Sequence, residues 1–383
     1  MPEVPWKGQG AQGTIVQGHV IEGGAGMKDL RYRDEAMAKK ILARLREMDL
    51  RLRFMHVCGT HQDTLVRFGL ERMLSEAGIT IGQGPGCPVC VTTTKEVVEA
   101  ITLARAGVTI TVFGDMMAVP TPIGSLADIK AEGADVRVVY SVEDALRLSH
   151  EVDRMVFMAI GFETTSPSTA YALLNDPPKN FSVLSCHRLL PPALRALFAM
   201  GEVRIDGLIQ PGHVATITGL DVFSEFAGPN GVPQVVTGFE PLDLLMGVYM
   251  LAKQVKEGRS EVENEYRRVV RPEGNPRARE MLERAFTPVD RAWRGFPVLP
   301  LSALEVSEDL AEHNARLVYE NVLKGAPVVK EDMGGCRCGE VLRGIIRSEE
   351  CPAFGKGCSP KRPMGPCMVS REGSCNISYR YRE

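Results

Sequence analysis

The chain has 383 residues, and its 45 lysines and arginines against 48 aspartates and glutamates give a formal net charge of −3. That length allows two or three domains, and the charge balance excludes the basic surface typical of nucleic-acid-binding proteins. The longest apolar runs are too short to span a bilayer. We therefore expect no nucleic-acid partner and no membrane insertion.

The first 27 residues are rich in glycine and lack the basic start and apolar segment of a secretory signal. We interpret residues 1–27 as a flexible leader and expect a cytoplasmic protein. In a reducing compartment, clustered cysteines more often bind metal or carry out redox chemistry than form structural disulfides. The ten cysteines are therefore the first candidates for function.

From about residue 34 to 255, short β-rich runs alternate with stretches of helical spacing. This alternation predicts βαβ units, with mostly parallel sheets and helices on both faces. Thr93 and Glu96 form a capping-box pattern at one helix start. The fold class is therefore α/β.

Three strand–loop–helix units of the first half resemble three units of the second half in element order, although few residues are identical. We expect two similar parallel-sheet domains, 28–150 and 151–255, that face a central cleft. In each half a polar or glycine-rich motif follows a strand, where open parallel sheets place their ligand sites. Residues 256–383 are predicted to form a helical and Cys-rich domain.

The tail past Val329 is rich in Gly, Pro and Cys and has little apolar material for a core. Metal coordination is the obvious way to hold such a segment together. Thiolates on irregular backbone suit a 4Fe-4S cluster. A structural zinc site is the rival, but zinc ribbons usually contain C-x₂-C pairs, which the tail lacks. A 4Fe-4S cluster needs four cysteine ligands, and the tail has six cysteines. Cys338 is an alternative to Cys336 as one of the four ligands.

The stretch GPGCPVC holds Cys87 and Cys90 in a C-x-x-C pair just before the helix that Thr93 caps. Two thiols at this spacing can close a disulfide, and a helix N-terminus favours the thiolate. Half of a zinc site is the alternative, but no further ligands lie close in sequence. The pair is interpreted as redox-active.

Cys58, in FMHVCGTHQ, stands where a strand ends and a loop begins, with His61 nearby. An exposed thiolate there could be a nucleophile or a single metal ligand, although a strand-end cysteine is often merely part of a core. Polar side chains also end other strands, and together they are expected to line a polar cleft: Asp115 in FGDM, Glu163 and Thr164 in GFETTSP, His213 in QPGHV and Glu240 in GFEP. Singly, each of them is explained as a helix cap.

These motifs, in this order and followed by the tail CRCGEVLRG…CPAFGKGCSP…GPCMVSREGSC, resemble the HypD family of hydrogenase maturation factors from about residue 28 to the C-terminus. The resemblance implies a redox-active assembly scaffold, rather than a conventional turnover enzyme, that helps to build the Fe(CN)₂CO unit of NiFe-hydrogenase. It implies a HypC-type chaperone as partner, with iron held between a cysteine of each protein, and a HypE-type protein as cyanide donor.

On this resemblance, Cys58 binds the iron and His61 lies near it, while Cys87 and Cys90 form the redox-active dithiol. Asp115, Glu163, Thr164, His213 and Glu240 match family positions around the central cleft. The family spacing assigns the 4Fe-4S cluster to four tail cysteines: Cys336, Cys351, Cys358 and Cys375. Two other functions stay open: an iron–sulfur-dependent thiol–disulfide oxidoreductase, and a binding protein with a zinc-stabilised tail.

Overall fold

The computed structural model describes residues 34–202, 204–229, 231–331 and 334–382. The predicted leader, residues 1–27, lies outside them. The α/β class is confirmed, because two parallel sheets make up the centre of the molecule. No helix within the described residues has both the length and the apolar character that a membrane crossing needs.

The first sheet, sheet A, has five parallel strands in the order β2-β1-β7-β8-β9. Its strands are β1 (Leu52–His56), β2 (Ile79–Gln83), β7 (Gly207–Pro211), β8 (Gln234–Thr237) and β9 (Val262–Asn264). Phe54 and Met55 are neighbours in β1, and their side chains join apolar clusters on opposite faces of the sheet. Both faces are therefore covered, as in other all-parallel sheets.

The second sheet, sheet B, has four parallel strands in the order β4-β3-β5-β6. They are β3 (Thr109–Phe113), β4 (Val136–Val139), β5 (Met155–Gly161) and β6 (Phe181–His187). Every residue of β5 and β6 is buried. Such continuous burial explains why these runs are apolar throughout instead of alternating.

The two halves of the chain repeat each other in topology. When β1, β2, β7 and β8 are matched with β5, β6, β3 and β4, the order of strands in sheet A reproduces the order in sheet B. The predicted similarity of element order is thus present. However, the sheets do not divide the chain at residue 150, because each takes strands from both halves. The chain leaves sheet A after β2, builds all of sheet B, and returns to sheet A at β7.

The helices connect these strands and cover both sheets. Their bounds are α1 (Glu35–Glu47), α2 (Gly59–Arg67), α3 (Leu70–Glu76), α4 (Pro88–Val91), α5 (Thr94–Arg105), α6 (Leu126–Ala131), α7 (Val142–Ser149), α8 (Ser166–Leu174), α9 (Leu190–Met200), α10 (Gly212–Thr218), α11 (Pro241–Lys256), α12 (Pro276–Ala285), α13 (Ala315–Val318), α14 (Glu320–Leu323), α15 (Cys338–Leu342), α16 (Pro366–Val369) and α17 (Ser374–Tyr381). The predicted capping box is present at α5, where the Glu96 carboxylate accepts from Thr93 N–H at 2.9 Å.

The part after residue 256 is less helical than predicted. It contains the antiparallel hairpin of β10 (Phe286–Ala292) and β11 (Val298–Val306). The hairpin packs along β6 of sheet B, and Trp293 at its turn is fully buried. The Cys-rich tail then follows as three short helices, α15, α16 and α17, joined by turns. The tail packs on the helices that follow the strands of sheet A, with α17 against α2 and α16 against α4.

Candidate functional site

Cys58 lies at the carboxyl end of β1 and is the N-cap residue of α2. Its side chain is buried. Burial raises the pKa of the Cys58 thiol to about 12, and hydrogen bonds from the backbone N–H groups of His61 and Thr60 act in the opposite direction. The helix N-terminus thus stabilises a thiolate. Burial nevertheless favours the uncharged thiol as long as no cation is bound beside it.

The Cys58 side chain lines a central cavity of about 290 Å³. Three of the predicted cleft residues share this cavity, namely Cys58, Thr164 and His213. They come from the carboxyl ends of β1, β5 and β7, so both sheets contribute to it. The remaining walls come from residues around these motifs and from the tail: Thr60, Gly86, Pro88, Phe162, Thr165, Phe239 and Glu372.

The C-x-x-C loop lies directly against Cys58. Gly59 N–H donates to the Gly86 carbonyl at 3.2 Å, and a Cβ added at Gly86 would lie 2.1 Å from the Cys58 nitrogen. Only glycine allows this approach of the two backbones. Cys87 and Cys90 form a disulfide across the loop. Both are buried. The disulfide therefore lies next to the cavity, whose wall includes the adjoining Gly86 and Pro88.

Two histidines of the site flank one phenylalanine. The rings of His61 and Phe239 stack with centroids 4.9 Å apart, and the His213 ring lies 5.1 Å from Phe239 on the cavity side. Nε2 of His61 contacts the Gly238 carbonyl at 2.9 Å and the Thr237 hydroxyl at 3.0 Å. His61 is thus tied to the end of β8, and both histidine rings contact Phe239.

Burial lowers the pKa of both imidazoles. The pKa of His213 falls to about 4, and that of His61 falls well below its ordinary value. Both rings are therefore uncharged at neutral pH. A neutral His213 at the cavity wall can accept a hydrogen bond.

Glu163 and Glu240 do not line the central cavity. Glu163 accepts a hydrogen bond from Leu190 N–H at 2.7 Å at the start of α9, and burial raises the pKa of its carboxyl to about 7. Glu240 is the N-cap residue of α11, and its N–H donates to Asp243 at 3.1 Å. Glu240 thus matches the helix-cap interpretation of its motif, whereas Glu163 bonds the start of α9 and does not cap α8, the helix that it precedes and whose N-cap residue is Thr165.

Asp115 also lies outside the cavity, in a 3₁₀ turn after β3. Its carboxylate accepts from the Ser370 hydroxyl at 2.8 Å and from Arg371 N–H at 3.1 Å. These bonds fix the tail segment that places Glu372 in the cavity wall. Asp115 therefore connects sheet B to the tail.

Glu372 is the cavity residue that sequence reasoning missed. Burial raises the pKa of its carboxyl, and the nearby Asp115 adds to the effect. A negative charge on Glu372 raises the pKa of the Cys58 thiol, so the two groups interact electrostatically. No strand precedes Glu372, and the strand-end rule that found the other residues does not apply to it. Its position three residues before Cys375 was the available signal.

All six tail cysteines line one small cavity between α15, α16 and α17. They are Cys336, Cys338, Cys351, Cys358, Cys367 and Cys375. The other wall residues are glycine or apolar, such as Val341, Phe354 and Met368. Such a concentration of buried thiols is a donor set that fits an iron–sulfur cluster. Cys338 and Cys367 line the same cavity as the four predicted ligands. Their positions therefore do not show which four of the six cysteines would bind a cluster.

The tail thiols contact one another. Cys338 is hydrogen-bonded to Cys336 and to Cys367. The contact with Cys338, followed by burial, raises the pKa of the Cys336 thiol, and the Arg294 guanidinium opposes this effect. The tail also touches the C-x-x-C loop, because α16 packs on α4. Cys87, Cys90 and four tail cysteines belong to one buried cluster.

The chain matches the family model HypD, described as "Hydrogenase formation hypA family", over residues 34–382. It is 43% identical over 358 residues to a putative hydrogenase expression/formation protein of Methanocaldococcus jannaschii, covering 91% of this chain and 98% of that relative. It is 41% identical over 368 residues to hydrogenase maturation factor HypD2 of Bradyrhizobium diazoefficiens, covering 91% and 95%. With hydrogenase maturation factor HypD of Escherichia coli it shares 40% identity over 339 residues, covering 87% and 90%.

Proposed function

The chain belongs to the HypD family of hydrogenase maturation factors, and from this premise we propose that it is the scaffold on which the Fe(CN)₂CO unit of NiFe-hydrogenase is assembled. A HypC-type chaperone is its partner, and a HypE-type protein donates cyanide. The observation that carries this proposal is the Cys58 thiol at a helix N-terminus, facing a cavity that also contains His213 and adjoins the Cys87–Cys90 disulfide.

Iron is the cargo, and Cys58 is its ligand from this chain. Thiolate is a soft ligand and must lose its proton to bind metal. Because burial keeps the Cys58 thiol protonated, an arriving iron cation supplies the charge that makes the thiolate stable. Transfer of the thiol proton to Glu372 leaves the net charge of the two groups unchanged.

Cyanide release requires electrons. Cleaving the sulfur–carbon bond of a thiocyanate takes two electrons and yields a thiolate and a cyanide ion. The dithiol form of Cys87 and Cys90 can supply both electrons as it closes to the disulfide and releases two protons. The disulfide described above is the oxidised product of that step. Its loop adjoins Cys58, so the electrons are available beside the iron ligand.

The tail is proposed to hold a 4Fe-4S cluster, which would supply single electrons for reduction of the disulfide. A cluster takes its four cysteines around several irons, and the tail cavity is lined by six cysteines. Zinc ribbons usually contain C-x₂-C pairs, which the tail lacks, and this favours the cluster over zinc.

A thiol–disulfide oxidoreductase acting on a protein substrate is the weaker alternative. It uses the same disulfide and the same tail. However, it gives no role to the Cys58 cavity.

Infrared spectroscopy of the anaerobic complex with a HypC-type partner tests the proposal. We expect cyanide and carbonyl stretching bands from the complex of the unchanged chain and their loss from the Cys58→Ala complex. Cys186→Ala is the matched control, because Cys186 is a fully buried cysteine in β6, outside both cavities. Retention of the bands in Cys58→Ala would refute the ligand role.

A further inference from the structure

Arg294 is a buried cation at the junction of the C-x-x-C loop and the tail. Only 3% of the residue is exposed. Its N–H donates to the Val91 carbonyl at 2.9 Å, and its Nε donates to the Thr92 carbonyl at 3.1 Å. Arg294 therefore holds the backbone that directly follows Cys90.

The other side of Arg294 faces the cysteine-rich tail. With Gly295 and its ion-pair partner Glu331 it lines a cavity of about 200 Å³, together with Cys336, Cys338, Gly339 and Met364. Gly295 and Gly339 pack so closely that a Cβ on Gly295 would lie 2.5 Å from the Gly339 Cα. This backbone contact keeps the guanidinium beside the Cys336–Cys338 turn.

Glu331 is the counter-charge of Arg294. Its carboxylate lies 3.2 Å from Nη1 of Arg294, and its side chain is 40% exposed whereas that of Arg294 is 4% exposed. The same carboxylate accepts from Thr94 N–H at 3.0 Å. Because water screens the half-exposed carboxylate more than the buried guanidinium, the pair leaves a net positive field on the sulfur side.

We propose that the positive charge of Arg294 raises the reduction potential of the iron–sulfur centre held by the tail. The negative charge of Glu331 offsets part of this increase. This inference rests on the cluster assigned under the proposed function. A guanidinium is permanently charged, and a fixed positive charge favours the state with one more electron. Local charge is one of the means by which proteins set cluster potentials.

The test is a redox titration of the anaerobic full-length protein, followed by electron paramagnetic resonance, for the unchanged chain and three variants. Arg294→Gln is expected to make one-electron reduction about tenfold less favourable, a shift of about 59 mV to lower potential. Glu331→Gln is expected to make reduction about threefold more favourable. Arg294→Lys keeps the charge and is expected to stay close to the unchanged chain.

A charge effect predicts a lower potential for Arg294→Gln and a higher potential for Glu331→Gln. Loss of packing gives no reason for the two variants to shift the potential in opposite directions. If Arg294→Gln does not fold, Glu331→Gln and Arg294→Lys still decide the matter. An unchanged or lower potential in Glu331→Gln, or a potential in Arg294→Gln equal to that of the unchanged chain, overturns the inference. A chain without iron and sulfide overturns the cluster proposal itself, and the inference with it; iron and sulfide analysis of the same samples distinguishes the two failures.

Discussion

The central cavity and the tail cavity are both lined by cysteine, yet they are built in different ways. The central cavity lies at the carboxyl ends of β1, β5 and β7, three strands of two parallel sheets. The tail cavity lies among α15, α16 and α17, which have four to eight residues each. One site is built on the ends of packed strands, and the other brings six thiols together on short helices and turns.

This difference indicates what each site needs. Strand ends in a packed sheet hold their side chains in place without a ligand, so on the proposed function the central cavity would accept and release iron without unfolding. The short Gly- and Pro-rich tail would depend on the proposed cluster for its stability. A releasable cargo therefore suits the first site, and a permanent cluster suits the second.

The largest effect is expected from Cys358→Ser. Loss of one cluster thiolate should remove most of the bound iron and sulfide and make the tail sensitive to protease, because metal binding and folding are coupled there. The sheets should keep their structure. Iron analysis and limited proteolysis measure both effects. In Cys58→Ala, by contrast, the tail should keep its cluster and its protease resistance; loss of both from that variant would show that the two regions are not independent.

The second prediction concerns the scaffold beneath the C-x-x-C loop. Glu96 and Arg188 form a fully buried ion pair, N to O 2.6 Å. Glu96→Gln leaves Arg188 with an uncompensated charge, and we expect a loss of about 3–5 kcal/mol in the free energy of unfolding. Urea denaturation at pH 7 measures it. Lys39→Gln, which removes an exposed ion pair with Glu35, is the control and should change stability little.

The Glu96 effect has a defined pH dependence. Burial alone would raise the pKa of Glu96, but the guanidinium groups of Arg188 and Arg316 lower it to about 2 from an ordinary value of 4.5. The folded state therefore binds this proton less tightly than the unfolded chain does. The stabilisation is complete above pH 4.5 and is lost as the pH falls towards 2. The stability difference between Glu96→Gln and the unchanged chain should shrink over that window.

The third prediction concerns Glu163, whose contribution to stability changes with pH in the direction opposite to that of Glu96. Burial raises the pKa of Glu163 from 4.5 to about 7, so the contribution of this group to stability is complete below pH 4.5 and is lost as the pH rises through 7. Glu163→Gln keeps the acceptor for Leu190 N–H and removes the titration. It should stabilise the protein by about 3 kcal/mol at pH 8 and have little effect at pH 4.5. Equal differences at both pH values would contradict the buried-carboxyl account.

The smallest effect is expected from Asp115→Ala, which removes the acceptor for Ser370 and Arg371. Two hydrogen bonds to a carboxylate are lost, at a cost of about 1–3 kcal/mol. Hydrogen exchange should become faster at residues 370–373, while β3 stays protected. Asp135→Ala is the matched control, because Asp135 also ends an exposed loop of sheet B and contacts Thr109 and Arg137 rather than the tail.

The sequence predicted the central cavity better than it predicted the arrangement of domains. Cys58, Thr164 and His213 follow strand ends, and local pattern is enough to find strand ends. Which strands pair is decided by tertiary packing, so the exchange of strands between the two halves could not be predicted from element order. WRGFPVLPLS, residues 293–302, is extended in the sequence pattern and overlaps β11, but the pairing of β11 with β10 was missed because β10 carries proline and charged residues that break the alternating pattern.

In the tail, the candidate residues were easy to find from the sequence, but their contacts with the rest of the chain were not. Its cysteines are obvious in the sequence, and all six line one cavity. Their spacing does not predict contacts with distant residues, such as the Asp115 bonds to Ser370 and Arg371 or the position of Glu372 beside Cys58. These contacts depend on how irregular backbone packs on the sheets, for which no periodic pattern exists.

Metal and sulfide analysis of the anaerobically purified protein, with Cys58→Ala and Cys358→Ser prepared in parallel, tests the division of labour between the two cavities most directly. We predict iron and acid-labile sulfide in about equal amounts in the unchanged chain, retained in Cys58→Ala and lost in Cys358→Ser. Zinc without iron or sulfide, or loss of sulfide from Cys58→Ala, would contradict it.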